Sequence, residues 1–170
     1  LHEKGKIYYS FYSYDSGLLS KYPIQDSAVI FPEKDDHGSM YKLNCEVDGR
    51  KICVYTAHLD YQDCAYYMVR GYDGSTWKKL PAPVTSVDSL LNSNTSSQRD
   101  DAVKLFLKDA QKEISSGNLV FLGGDFKEPS HLDWIESTKD SADHNGVVIP
   151  WTVTTLLHEA GFKDVYREVY

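Results

Sequence analysis

Residues 118–125 have the sequence Asn-Leu-Val-Phe-Leu-Gly-Gly-Asp, an apolar run that ends in two glycines and a carboxylate. A continuous run of this length is typical of a β-strand buried on both faces, as in the sheets of α/β proteins. The glycines let the backbone bend sharply, and Asp125 then lies at the carboxyl end of a central strand, where α/β folds place their sites. Such a carboxylate can ligate a hard cation or orient an attacking water, although a plain turn aspartate fits the spacing equally well.

The segments on either side of this run have helical patterns. Ser97 is an N-cap residue with an acidic first turn after it, and an apolar stripe then continues to the helix-ending Gly117. The members of the stripe are Ala102, Leu105, Phe106, Ala110 and Ile114. A shorter stripe predicts a second helix over Thr152–Ala160, ended by Gly161.

The dipeptide Asp48-Gly49 predicts a two-residue hairpin turn. Closing that turn places Cys45 opposite Ile52 and points Cys53 to the other face of the sheet. A Cys45–Cys53 disulfide is therefore disfavoured, and an odd number of cysteines cannot all pair within one chain. We expect buried free thiols.

The composition excludes several classes of protein. The chain has 170 residues, enough for one well-cored domain, and its hydrophobic fraction of 41% argues against disorder over the whole length. A net charge of −7 argues against a basic surface for nucleic acid, but a local phosphate site remains compatible with it. No apolar run is long enough to span a bilayer. The start has neither an initiator Met nor a signal-peptide core, so we expect a piece of a longer protein, for which a periplasmic or secreted location is compatible.

A second candidate for chemistry is the tripeptide Thr56-Ala57-His58, which also ends an apolar strand. A histidine in that position can donate to a phosphoryl oxygen or protonate a leaving group, although a lone strand-end histidine is more often structural. The tetrapeptide that begins at His58 is similar in sequence to the one that begins at His131, and each also contains a carboxylate, Asp60 or Asp133. Together they could bind zinc, but a chance repeat is the simpler interpretation.

The segment between residues 61 and 97 has no sustained periodicity but many aromatic side chains. A connection of that length within a domain is usually functional or partly disordered, and the aromatic content favours function. Cations and aromatic side chains that could bind and stack on an anionic substrate lie in or next to this segment: Arg70, Lys78, Lys79 and Arg99, with Tyr66, Tyr72 and Trp77. The alternative is that these cations are solvated surface charges.

Three motifs, taken in order, resemble the endonuclease/exonuclease/phosphatase superfamily, whose fold is deoxyribonuclease I-like. They are Ser-Gly-Leu-Leu-Ser-Lys-Tyr-Pro-Ile at 16–24, Thr-Ala-His-Leu at 56–59 and Gly-Gly-Asp-Phe-Lys-Glu-Pro-Ser-His-Leu-Asp-Trp at 123–134. The aromatic segment resembles a bacterial branch of the Bacteroides type. The resemblance implies a four-layered α/β sandwich of two mixed sheets with helices outside, and hydrolysis of phosphate esters that depends on magnesium, or on manganese or calcium. It makes residues 1–170 the middle portion of one such domain, incomplete in this chain.

The resemblance also implies roles for particular residues. Asp125 matches the aspartate that orients or activates water, and we assign it to the metal as well, while His58 matches the phosphate-contacting histidine. Lys127 stands where the family has asparagine; its ammonium can touch a phosphate oxygen but cannot ligate a cation. The predicted substrate-binding residues are Lys127, Arg99, Tyr72, Trp77 and His131.

The family's metal-binding Asn and Glu and its closing Asp-His pair fall outside these residues. We therefore expect the missing N- and C-terminal segments of the same domain to be partners of this chain, and the chain alone to be inactive. Two alternatives remain open. One is a non-catalytic module on the same fold that binds carbohydrate or a lipid head group. The other is a zinc hydrolase that uses His58, Asp60, His131 and Asp133.

Overall fold

The structure is a computed structural model that describes residues 7–13, 15–32 and 34–170. The chain divides into two compact units, one within residues 1–59 and 104–125, the other within 60–103 and 126–170. In chain order the strands are β1 (Tyr9–Tyr12), β2 (Gly17–Ser20), β3 (Ile24–Phe31), β4 (Gly38–Val47), β5 (Arg50–Leu59) and β6 (Leu119–Asp125). The helices are α1 (Tyr66–Val69), α2 (Val87–Asn94), α3 (Arg99–Ser115), α4 (Thr152–Glu159) and α5 (Val165–Val169).

The first unit contains a four-stranded mixed sheet in the order β3-β4-β5-β6, together with a β1-β2 hairpin. β4 pairs antiparallel with both β3 and β5, whereas β5 and β6 are parallel. The predicted register is confirmed, because Cys45 is the partner of Ile52. Asp48 and Gly49 both have positive φ, 51° and 76°, as a tight hairpin turn requires. The cysteines are buried free thiols, also as predicted.

Helix α3 is held against this sheet by an aromatic contact and a buried ion cluster. The ring of Phe106 meets Tyr55 of β5 edge-on, with centroids 4.8 Å apart. Beside it the Nζ atom of Lys42, on β4, lies 2.7 Å from the carboxylates of both Asp109 and Glu113. Since an unpaired buried ammonium is costly, these two contacts fix which face of the helix meets the sheet.

The second unit has its own apolar core around two tryptophans. Trp134 and Trp151 pack edge to face with ring centroids 5.3 Å apart, and His144 stacks on Trp134 at 4.0 Å. The other members of this core are Ala65, Val69, Leu90, Val147 and Ile149. Helix α4 begins directly after Trp151, where the sequence predicts a helix. Helices α1 and α2 lie in the segment where no periodicity predicts them.

The α/β class is confirmed, but the predicted environment of β6 is wrong. Among the described residues β6 pairs only with β5, so it is an edge strand and not a central one. Leu119 and Phe121 are accordingly 43% and 48% exposed instead of buried on both faces. Within the described part of the chain no helix is long and apolar enough to cross a membrane.

Candidate functional site at the ends of β5 and β6

The structure brings His58 and Asp125 to neighbouring positions. They are Cα partners in the parallel β5–β6 ladder, each at or next to the carboxyl end of its strand. Because both strands run in the same direction, the two motifs that end them meet at one border of the sheet. An imidazole and a carboxylate, 67 positions apart in the sequence, thus come from adjacent strands.

Gly124 makes this close pairing possible. Its φ of +148° lies in a region that residues with a side chain rarely adopt. A Cβ built on it would stand 1.9 Å from the carbonyl oxygen of Ala57 on β5. Gly123 differs, since a Cβ there would have no heavy atom within 4 Å. Of the two glycines before Asp125, only the second is required by packing.

Asp15 and Ser39 hold the His58 ring, a function that sequence analysis did not assign to either residue. The Oδ2 atom of Asp15 lies 3.0 Å from Nδ1 of His58. The Ser39 hydroxyl donates to Oδ1 of the same carboxylate at 2.6 Å, and Ser39 is the β4 partner of His58. A carboxylate at Nδ1 favours the tautomer protonated there, which leaves Nε2 to exchange a proton. The serine hydroxyl bonds to the aspartate, so the trio is not a nucleophilic triad.

A turn next to the Gly-Leu-Leu-Ser motif places Asp15. Ser16 follows it, and the Ser16 hydroxyl lies 3.1 Å from that of Thr56 on β5. Asp15 therefore approaches His58 from a segment 43 residues earlier in the chain. The one sequence signal for Asp15 is its position directly before the Ser16-Gly17 motif.

Arg99 has a structural role and is not placed to bind an anionic substrate, contrary to our prediction. The residue is 1% exposed. Its Nη1 donates to the carbonyl oxygens of Asp60 and Gln62 at 2.8 and 2.7 Å. Its Nη2 donates to the carbonyl oxygen of Asp63 and to Oδ1 of Asn94, both at 2.8 Å. These bonds fix the backbone that follows β5.

Glu128 joins the same buried cluster in the second unit. One carboxylate oxygen accepts the backbone N–H of Val153 at 2.6 Å, at the start of α4, and the other accepts the Asn94 side-chain amide at 2.6 Å. The Arg99 Nε atom is 3.7 Å from this carboxylate. Burial raises the pKa of Glu128 despite these partners. The sequence contains no pattern that marks Glu128 as an anchor.

The other predicted substrate residues lie in the second unit. Lys127 has a positive φ of 52°, in the left-handed region that few lysines occupy. Nδ1 of His131 lies 2.8 Å from the Thr154 hydroxyl, and burial lowers the pKa of this histidine. Tyr72 and Trp77 are both about half exposed. These placements leave the substrate-binding assignments of the four residues as predictions.

The described residues do not build a metal site by themselves. Across residues 7–13, 15–32 and 34–170, no three His, Cys, Asp or Glu side chains form a group that could hold a metal ion. Of the carboxylates in the proposed zinc set, Asp60 accepts the backbone N–H groups of Gln62 and Gln98, and Asp133 pairs with Arg167. Both carboxylates of the proposed zinc set thus have partners within the second unit, and a magnesium ion at Asp125 would need ligands from outside the described residues.

Comparisons with known proteins identify a relative in a nematode. No protein-family model matches the chain, and no solved structure matches it. An uncharacterized protein of Caenorhabditis elegans, F14F9.5, is 31% identical over 122 residues, which are 72% of this chain and 36% of the relative. The chain thus spans about a third of the relative's length.

The geometry of the first unit is suited to moving protons to and from the oxygen atoms of a substrate or a water molecule. The His58 imidazole is oriented through Nδ1, and the Asp125 carboxylate occupies the paired position on the next strand. An oriented imidazole can act as a general acid or donate to an anionic oxygen, and a carboxylate can accept a proton from water. These are the two tasks that hydrolysis of an ester asks of side chains.

Proposed function

We propose that the ends of β5 and β6 form part of a site that hydrolyses a phosphate ester, of the phosphodiesterase, nuclease or phosphatase type. The observation that carries the proposal is the Ser39–Asp15–His58 chain of hydrogen bonds next to the paired Asp125. Phosphoryl transfer asks mainly for positioning and charge neutralisation, which a fixed imidazolium supplies. The net charge of −7 favours a small substrate over a long polyanion.

The roles of the two residues follow from the proton balance. Asp125 orients a water and accepts its proton as the water oxygen bonds to phosphorus. The bond from phosphorus to the leaving oxygen breaks, and that oxygen takes the Nε2 proton of the doubly protonated His58 ring, which leaves the neutral tautomer with its proton at Nδ1 facing Asp15. Before this step the same N–H donates to a phosphoryl oxygen. Asp15 acts through His58, by keeping the ring oriented, and is a positioning residue.

The proposed activity requires a divalent cation, namely magnesium, manganese or calcium, although the proton transfers described above are carried out by side chains. Asp125 is the carboxylate that would hold the ion, which supplies neutralisation of phosphate charge when bound. Its other ligands would come from segments outside the described residues. The proposal accordingly takes residues 1–170 as the middle of a four-layered sandwich, and the greater length of the relative is compatible with it.

The test compares the complete gene product with the 170-residue chain, using bis-p-nitrophenyl phosphate and each of the three cations. We expect hydrolysis by the complete protein and almost none by the 170-residue chain. In the complete protein Asp125→Asn and His58→Ala should each lower kcat/KM by about 100-fold. Asp26→Asn, an exposed carboxylate on β3, is the matched control and should change little. Inactivity of the complete protein with every cation would overturn the proposal.

A further inference from the structure

We propose that Tyr72 and Trp77 form a binding surface for the ring of a neutral sugar, here called the aromatic platform. Trp77 is 46% exposed, whereas the other two tryptophans of the chain, Trp134 and Trp151, are 4% and 0% exposed. Tyr72 is 44% exposed. The platform lies entirely within the second unit, and the inference does not rest on the proposed hydrolysis.

Trp77 is held in a backbone conformation that its own side chain disfavours. Its φ is +61°, in the left-handed region that bulky residues avoid. Such strain persists only where the surrounding structure imposes it, and it concentrates at ligand sites. A half-exposed indole gains little packing in return, so burial does not account for this conformation.

The turn before Trp77 imposes the conformation. One carboxylate oxygen of Asp73 accepts three hydrogen bonds, from the backbone N–H groups of Ser75 and Thr76 at 3.1 and 2.6 Å and from the Thr76 hydroxyl at 2.7 Å. The N–H of Trp77 then donates to the carbonyl oxygen of Asp73 at 3.1 Å. The hydrogen bonds from Thr76, its N–H first, lower the pKa of Asp73. The ionised carboxylate thus fixes the turn that presents the indole.

A set of tyrosines supports the platform. The Tyr67 ring meets the Trp77 ring edge-on with centroids 4.5 Å apart, and it lies 4.3 Å from the Tyr66 ring. The carbonyl oxygen of Tyr67 accepts the N–H of Tyr72 at 3.0 Å. Arg70 lies over both supporting rings, 5.7 and 5.8 Å from their centroids. Tyr67 therefore contacts both platform residues, Trp77 through its ring and Tyr72 through its backbone carbonyl.

The charges around the platform favour a neutral ligand. Residues 63–79 carry three cations, Arg70, Lys78 and Lys79, and two anions, Asp63 and Asp73, while Asp143 pairs with Arg70. Arg70 pairs with Asp143 at 3.2 Å, and Asp63 accepts the Ser75 hydroxyl. Without net positive charge the surface has no Coulombic preference for a phosphorylated head group or an anionic membrane. A sugar ring can place its C–H face on an indole and its hydroxyls against a polar rim of this kind.

The test is a tryptophan-fluorescence and calorimetric titration of the chain with three neutral sugars: maltohexaose, cellohexaose and chitohexaose. Trp77 is the exposed one of the three tryptophans, so a change in emission that Trp77→Phe abolishes reports on Trp77. We expect at least one sugar to bind. By calorimetry, Trp77→Ala and Tyr72→Ala should each weaken that binding by roughly tenfold, and Trp77→Phe by less. Tyr166→Ala, an exposed tyrosine on α5, is the control and should bind as the wild type does.

Several outcomes would overturn the inference. These are no binding of any of the three sugars, an unchanged Kd for folded Trp77→Ala, or binding of adenosine monophosphate or phosphatidylserine vesicles in place of sugar. If Trp77→Ala does not fold by circular dichroism, Trp77→Phe and Tyr72→Ala decide the question. Sugar binding that survives His58→Ala, with or without phosphoesterase activity, separates this inference from the proposed hydrolysis.

Discussion

At the scale of single residues, Gly124 is where the site depends most on the absence of a side chain. Gly124→Ala would place a methyl group against the Ala57 carbonyl oxygen and force a positive φ on alanine. Either the β5–β6 pairing opens or β5 shifts. We expect the free energy of unfolding to fall by about 3 kcal/mol, measured by urea denaturation.

Gly123→Ala is the matched control for that change. It adds the same methyl group one residue earlier, where no heavy atom lies within 4 Å. Its free energy of unfolding should remain within about 0.5 kcal/mol of the wild type. Equal destabilisation by both substitutions would mean that close approach of Gly124 to Ala57 does not hold β6 in place.

The tautomer of His58 should depend on Asp15. We expect Nδ1 of the neutral wild-type ring to carry the proton, because the Asp15 carboxylate accepts it. In Asp15→Asn the amide can donate to that nitrogen, so the population protonated at Nε2 should rise. Nitrogen-15 chemical shifts of the imidazole measure this, with Asp26→Asn as the control. An unchanged tautomer in Asp15→Asn would remove the positioning role.

The sequence predicts one half of this site and not the other. His58 and Asp125 each end a recognisable motif, so local pattern identifies them. Asp15 and Ser39 act through contacts that span 43 and 24 residues, and no local pattern encodes such contacts. For Arg99 the local pattern predicts a role that the structure does not support. Its position beside an aromatic segment predicts an exposed cation, whereas the carbonyl groups that bury it become neighbours only on folding.

At the scale of secondary-structure elements, the attachment of α3 to the sheet should depend on pH. The hydrogen bond from Lys42 lowers the pKa of Glu113 to about 2, against an ordinary value of 4.5. A lowered carboxyl pKa adds stability above pH 4.5, and this contribution is lost as the pH falls towards 2. We expect this group alone to lower the free energy of unfolding by about 2 kcal/mol between pH 5 and pH 2, measured by urea denaturation.

Substitution can separate this group from other carboxyl groups. Glu113→Gln should be less stable at pH 7 and should lose part of the dependence on pH. Glu46→Gln, an exposed position on β4, should keep the wild-type slope. If Glu113→Gln and the wild type lose stability in parallel on acidification, the Lys42 cluster does not set the acid response.

Elements are predictable from sequence to the extent that their signals are local. The Asp48-Gly49 turn fixes its own register, and this prediction is confirmed. The apolar run of β6 correctly predicts a strand but not its exposure. How far a strand is buried depends on whether another strand pairs with each of its edges, and only one edge of β6 is paired among the described residues. Helix α1 has only four residues, which is too short for a periodic pattern in the sequence. The backbone just before it is held by a distant residue, since Arg99 donates to the carbonyl oxygen of Asp63.

At the scale of the whole molecule, the outer edge of β6 lacks several of the sequence features that protect natural sheet edges. Residues 119–124 contain no charge and no proline, and their pairing with β5 shows no bulge. Its apolar side chains at 119 and 121 are half exposed. Such an edge accepts a further strand, and we expect a segment of the complete protein to fill it.

The 170-residue chain alone should therefore self-associate through β6, because β6 is the last strand of its sheet and its exposed apolar side chains can pack against those of a second copy. Sedimentation velocity over a range of protein concentrations measures this. Phe121→Lys should shift the chain towards monomer, since a charge at this edge opposes pairing. Val29→Lys, at an exposed position on β3 at the other side of the sheet, should not. The complete protein should resist this association without any substitution. A wild-type chain that remains monomeric at high concentration would show that the β6 edge needs no partner strand.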